Sequence, residues 1–119
     1  MSKVALIIGA SSGIGEAIAL KLLKDGYTVY NGSRSPAHHE RIINITVDVA
    51  NEEAIRRALR IVWEAEHRID ALIYSAGFSM SAPLEDVDLS DVYYLFQVNL
   101  FGLLTFMKYL IPLCKIQGG

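Results

Sequence analysis

Three glycines spaced as Gly9-x-x-x-Gly13-x-Gly15, with Ser11, Ser12 and Ile14 among them, carry the clearest chemical signal in this chain of 119 residues. They follow the apolar run Val4-Ala5-Leu6-Ile7-Ile8 and open onto Glu16–Lys24, which reads as a helix. Strand, tight turn and helix together give the glycines a physical purpose. Gly9 lets the chain turn off the strand, Gly13 leaves room for a phosphate to approach backbone N–H groups, and Gly15 lets the helix pack tightly on the sheet. The first helical turn has unpaired N–H groups and the positive end of a dipole, so an anionic diphosphate is favoured there. Ser11 and Ser12 add hydroxyl donors. Further along, Ser33-Arg34 supplies a guanidinium fork and no carboxylate. Where a βαβ unit holds a dinucleotide, the end of the second strand meets the adenosine ribose; an acid there suits NAD, whereas an arginine suits the 2′-phosphate of NADP. Arg34 therefore favours NADP over NAD. Asp48-Val49 closes a third strand; Asp48 is either an acceptor for an adenine amino group or a turn aspartate. Asn99 is an amide inside an apolar helix, which needs a backbone or water partner if buried.

The elements that position these groups alternate along the chain. Val4–Ile8 suits a strand buried on both faces. Asp25-Gly26 stops the first helix. Tyr27–Ser33, Arg41–Val47 and Ile69–Tyr74 read as three further strands. Asn51–His67 reads as a covering helix: Ile55, Ala58, Leu59, Val62 and Trp63 form one stripe, and Glu52–Arg56 and Glu53–Arg57 are i, i+4 pairs. Ser75-Ala76-Gly77 follows the fourth strand with small residues that permit close approach, and Phe78 and Met80 border the expected pocket. Asp88 is placed to cap a helix from about Leu89 to Pro112, apolar all round and so expected to be buried on more than one side. The pattern predicts an α/β fold: a Rossmann-like three-layer parallel sheet of strand order 3-2-1-4, incomplete, with helices on both faces.

Composition narrows the classes. Hydrophobic residues make up 52% and charged residues 20%, as in a globular domain. A net charge of −2 gives no electrostatic case for nucleic acid or an anionic membrane. Gln97, Asn99 and Lys108 interrupt the apolar helix, and its flanks lack basic asymmetry, so no membrane span is expected. Cys114 is the only cysteine, and without a signal-like leader a cytoplasmic setting follows. Adjacent His38 and His39 do not share a face and have no third ligand at a sensible spacing, so no metal site is expected.

Taken together, these residues resemble the short-chain dehydrogenases/reductases. Gly9-Ala10-Ser11-Ser12-Gly13-Ile14-Gly15 is similar to that family's glycine motif, with Ile8 where threonine is usual. Asp48-Val49 matches its adenine-binding pair, Asp70 with Leu72 and Ile73 its fourth-strand pattern, and Asn99-Leu100-Phe101-Gly102 the asparagine of its catalytic tetrad. Tyr74-Ser75-Ala76-Gly77 stands where the family has Asn-Asn-Ala-Gly, which preserves a backbone role and changes the side chains. The resemblance implies NADP-dependent hydride transfer between the nicotinamide and a carbonyl or alcohol carbon, with Asn99 as the catalytic residue present. Cofactor contacts would come from Gly9, Ser11, Ser12, Gly13, Ile14, Gly15, Ser33, Arg34, Asp48, Val49, Ser75, Ala76 and Gly77. The family's Tyr-x-x-x-Lys is missing: Tyr27, Tyr30, Tyr74, Tyr93, Tyr94 and Tyr109 precede Asn31, Arg34, Phe78, Gln97, Val98 and Leu113 at that spacing. Residues 1–119 are therefore expected to be one NAD(P)-binding domain, truncated before the acid–base segment and inactive alone. Self-association through the apolar helix around 89–112 is expected. A non-catalytic NADP-binding sensor is the alternative.

Overall fold

The computed structural model describes residues 2–119. Four parallel strands, β1 (Val4–Ile8), β2 (Thr28–Ser33), β3 (Ile42–Thr46) and β4 (Ala71–Tyr74), form one sheet in the order β3-β2-β1-β4. This is the order expected from the sequence. The central strand β1 is buried along its whole length, which is why it tolerates no polar residue. Helix α1 (Gly13–Lys24) covers one face of the sheet, where Ile7, Ala19, Leu23, Val29 and Ile42 form an apolar cluster. The larger core lies on the other face. There Leu6, Ile8, Ile55, Leu59 and Phe106 bring together β1, α2 (Glu52–Glu66) and the long carboxyl-terminal helix.

Helix boundaries follow local chemistry. Asn51 caps α2 by accepting a hydrogen bond from the Ala54 N–H at 3.0 Å. His67 closes it in the left-handed conformation, with φ 55°. The two expected i, i+4 ion pairs on α2 do not form. Arg56 pairs instead with Glu53 at 3.0 Å, and Glu52 accepts from the Tyr109 hydroxyl. Tyr109 also lies under the Arg56 guanidinium, 5.0 Å from ring centre to Cζ.

The apolar carboxyl-terminal stretch differs from expectation in three ways. It is helical from Leu89 to Gln117, beyond the expected end at Pro112, which lies inside α4 (Gly102–Gln117). A π-helical turn over Gln97–Phe101 separates α4 from α3 (Leu89–Phe96), and the Gly102 N–H reaches back to the Gln97 carbonyl. Lastly, the helix is not buried on both sides. Val98, Gly102, Phe106 and Leu110 face the core, whereas Leu89, Tyr93, Phe96, Leu100, Leu104, Met107 and Ile111 are exposed. Only one strip of it meets the sheet and α2, so apolar composition alone overstated its cover. Asp88 occupies the cap position of α3 but its side chain makes no capping bond.

At the amino edge, Asp70 ties the sheet together. One carboxylate oxygen accepts from the Val4 N–H at 2.8 Å and from Arg68 Nε at 2.8 Å, while the other accepts from Arg68 at 2.7 Å. The Arg68 fork, aided by the Val4 N–H, holds the Asp70 carboxyl below its usual range against a partly opposing burial effect. A depressed folded pKa stabilises the fold above the ordinary aspartate value of about 4, and that stability is lost as pH falls through the folded value. Asp70→Asn should therefore unfold at a lower temperature than wild type at pH 7, and the gap should close as pH drops below about 4. Thermal melts across pH check this; a gap independent of pH contradicts it.

Candidate functional site

The carboxyl ends of the strands enclose an open cleft of about 410 Å³. Ile8 and Ser11 contribute from the β1–α1 turn, Ser33, Arg34 and Ser35 from the end of β2, and Val47, Asp48 and Val49 from beyond β3. Ala76, Gly77 and Phe78 complete it from the loop after β4, with Tyr94 and Val98 behind them. Seven residues singled out from the sequence thus meet at one place: Ser11, Ser33, Arg34, Asp48, Val49, Ala76 and Gly77. The others, Gly9, Ser12, Gly13, Ile14, Gly15, Ser75 and Asn99, adjoin the cleft walls in sequence but do not line it. Ile14 is largely exposed. Phe78 lines the cleft as expected and packs on Tyr94 with ring centroids 5.8 Å apart; Met80 does not line it.

The glycine turn is built around one close approach. A methyl group on Gly15 would collide with the Gly9 carbonyl, and one on Gly9 would lie 3.1 Å from the Ala76 nitrogen. Helix α1 can begin this near to β1 only without those side chains. The Gly9 N–H donates to the Gly32 carbonyl at 3.1 Å. Among the described residues, the N–H groups of Gly13, Ile14 and Gly15 have no internal acceptor, and the Ser12 hydroxyl does not cap the helix. Space above Gly13 is open for 4 Å around the position a Cβ would take. Four donors are thereby left at the positive end of a 12-residue helix, beside an open cleft.

Around the rim the side chains have distinct partners. Arg34 is exposed and in no ion pair among the described residues. Asp48 Oδ1 accepts from the Ala50 N–H at 2.9 Å, the turn role, and Oδ2 remains for another donor. His39 Nδ1 accepts from the Arg41 N–H at 3.1 Å, a local turn contact. Asn99 is exposed, so the condition of burial is not met; its amide nevertheless has backbone partners at both ends. Its Oδ1 accepts from the Phe78 N–H at 3.0 Å and its Nδ2 donates to the Phe78 carbonyl at 2.6 Å. This reciprocal pair ties the loop after β4 to the π turn.

Tyr74 supports that turn from below. Its hydroxyl donates to the Val98 carbonyl, and its ring meets Phe106 edge-on at 6.1 Å. Burial pushes the Tyr74 phenol up to about 12. Gly102 makes this possible, since a Cβ there would strike the Tyr74 hydroxyl. Tyr74 thus gives a carbonyl of the widened turn a side-chain donor. Sequence reasoning missed this pairing because Tyr74 and Val98 are distant in the chain. It also missed Asn31, the buried amide of β2, whose partners lie across the sheet.

An open parallel sheet of this order, with a glycine turn at its carboxyl edge, defines the class as a Rossmann-like α/β protein. The sequence matches the short chain dehydrogenase family over residues 3–119 and belongs to it. It is 34% identical to a probable short-chain type dehydrogenase/reductase, VdlC, from Helicobacter pylori, over 94% of this chain and 43% of the relative. Among solved structures, ElxO with NADP bound superposes with a TM-score of 0.88 at 28% identity, covering 96% of this chain and 51% of that one. A short-chain dehydrogenase from Leptospira borgpetersenii with bound NAD+ superposes with a TM-score of 0.90 at 25% identity, covering 99% and 48%. The chain spans about half the length of the curated relatives it matches.

Proposed function

We propose that this chain is the cofactor-binding, amino-terminal half of an NADP-dependent oxidoreductase acting on a small carbonyl or alcohol substrate. The observation that carries the reading is an unpaired Arg34 on a cleft wall where β2 ends without a carboxylate. The site fits the group: the free N–H groups of Gly13 to Gly15 suit a diphosphate, and the space over Gly13 leaves it room. Ser11 and Ser12 add hydroxyl donors. Asp48 Oδ2 and the Val49 backbone suit an adenine edge, and Ser33 with Arg34 suits a 2′-phosphate. Ser75, Ala76 and Gly77 give a small-residue wall toward the nicotinamide end, and Asn99 takes part there as the catalytic amide. The bound cofactor would supply or accept hydride. No tyrosine here has a lysine four positions on, so the acid–base group is assigned to the portion of the relatives this chain does not span. Related folds hold NADP in one case and NAD+ in another, so the preference rests on Arg34 rather than on the fold.

Fluorescence titration with NADPH and NADH tests the reading. Wild type should bind NADPH more tightly, and Arg34→Ala should weaken NADPH about tenfold while leaving NADH within about twofold. Equal affinities in wild type, or an unchanged preference in the variant, defeat it. The proposal also places the protein in the cytoplasm and assigns the exposed stripe Leu89, Tyr93, Phe96, Leu100, Leu104, Met107 and Ile111 to contact with a second copy. Sedimentation should find an oligomer that Leu100→Asp converts to monomer; a wild-type monomer at high concentration contradicts that assignment.

A further inference from the structure

Asn31 is the one polar side chain fully buried among the described residues, with 1% exposure. It interrupts an otherwise sealed stretch of β2, where an apolar residue would avoid the cost of desolvating an amide. Parallel register sets it beside Asn44 of β3. Its Oδ1 accepts from the Ala10 N–H at 2.9 Å, inside the glycine turn. Its Nδ2 donates to Asn44 Oδ1 at 2.9 Å and lies 3.2 Å from Ser33 Oγ and 3.4 Å from the Ser35 carbonyl. Asn44 in turn clasps Ala37, accepting from its N–H at 2.8 Å and donating to its carbonyl at 3.2 Å.

Backbone groups fix the direction of this chain of bonds. The Ala10 and Ala37 N–H groups only donate and the Ala37 carbonyl only accepts, so both amides have one workable orientation. The acceptor end of Asn31 holds the glycine turn. Its donor end lies against Ser33 Oγ and the Ser35 carbonyl, on either side of Arg34, and through Asn44 it reaches Ala37. Among the described residues no other side-chain bond joins these two loops.

We infer that the Asn31–Asn44 amide pair is a specificity-determining positioning device: it fixes the base of Arg34 relative to the glycine turn, and so sets NADP preference. The inference rests on the cofactor reading above. Arg34 is long and exposed, and ordering its segment in advance lowers the entropy cost of closing on a 2′-phosphate. The glycine turn has other restraints, namely the Gly9–Gly32 bond and the seating of Gly15. Removing the Asn44 amide frees Ala37 and takes away the 2.9 Å acceptor that orients Asn31 Nδ2. This leaves the Arg34 segment only the longer contacts at Ser33 and Ser35, while the diphosphate cradle stays in place and the loss falls on the phosphorylated cofactor.

Asn31→Ala strands the Ala10 N–H in a fully buried position and endangers folding, so the test uses Asn44→Ala, at an exposed site on an edge strand. NADPH and NADH are titrated into wild type, Asn44→Ala, Arg34→Ala and the double variant. Asn44→Ala should lose about tenfold in NADPH affinity and keep NADH within about twofold. Added to Arg34→Ala, it should cost nothing further, since it acts through that guanidinium. The inference is overturned if Asn44→Ala leaves both affinities unchanged, lowers both alike, or still weakens NADPH binding on the Arg34→Ala background. A wild type that shows no preference for NADPH removes the cofactor reading as well. A wild type that prefers NADPH with Asn44→Ala unchanged removes only the inference.

Discussion

Helix α1 starts so close to the turn leaving β1 that no side chain fits between the Gly9 carbonyl and the Gly15 Cα. Much else depends on that contact. It brings the first turn of the helix to the carboxyl edge of the sheet, with its free N–H groups beside the cleft. Gly9 also lies where an added Cβ would crowd the Ala76 nitrogen, so the turn after β1 runs close to the loop after β4. Because β1 is central, this joins both halves of the sheet at one point. Two glycines thereby set the unpaired N–H groups of the first helical turn at the carboxyl edge of the sheet, the geometry on which the proposed diphosphate site rests.

Three carboxamides then hold the rim in different ways. Asn51 does the conventional work of capping α2. Asn99 binds both backbone groups of Phe78, so the exposed loop after β4 is tied to the π turn. Asn31 is buried and spans two loops through a partner on β3. A carboxamide suits all of these because it offers a donor and an acceptor in one plane without bringing a charge. In the interior such an amide is costly unless every group is satisfied, and here no buried side-chain polar atom lacks a partner among the described residues.

The legible part of this architecture is the part encoded locally. Val4–Ile8, the glycine spacing, Asn51 and the stripe on α2 each announce their element within a few residues, and the alternation of strands and helices led to the observed strand order. What escaped depends on pairs remote in sequence. Asn31 becomes meaningful only once register sets it beside Asn44, and Tyr74 only once Val98 lies above it. The π turn leaves no local mark, since Gln97–Phe101 contains neither proline nor glycine. Burial of the long helix was overstated because an apolar residue reports a preference and not the presence of something to pack against. The grouping of strand-end residues around one cleft was therefore readable, whereas the contacts beneath them were not.

The central claim is that a diphosphate settles on the amides at the start of α1. Backbone amide shifts in an isotope-labelled chain, followed by NMR as NADPH is added, address it directly. The account predicts the largest changes at Gly13, Ile14 and Gly15, saturating together with those at Ser33 and Arg34. Saturable binding that leaves the amides of residues 11 to 15 unmoved and shifts those along the exposed face of α3 and α4 would contradict it.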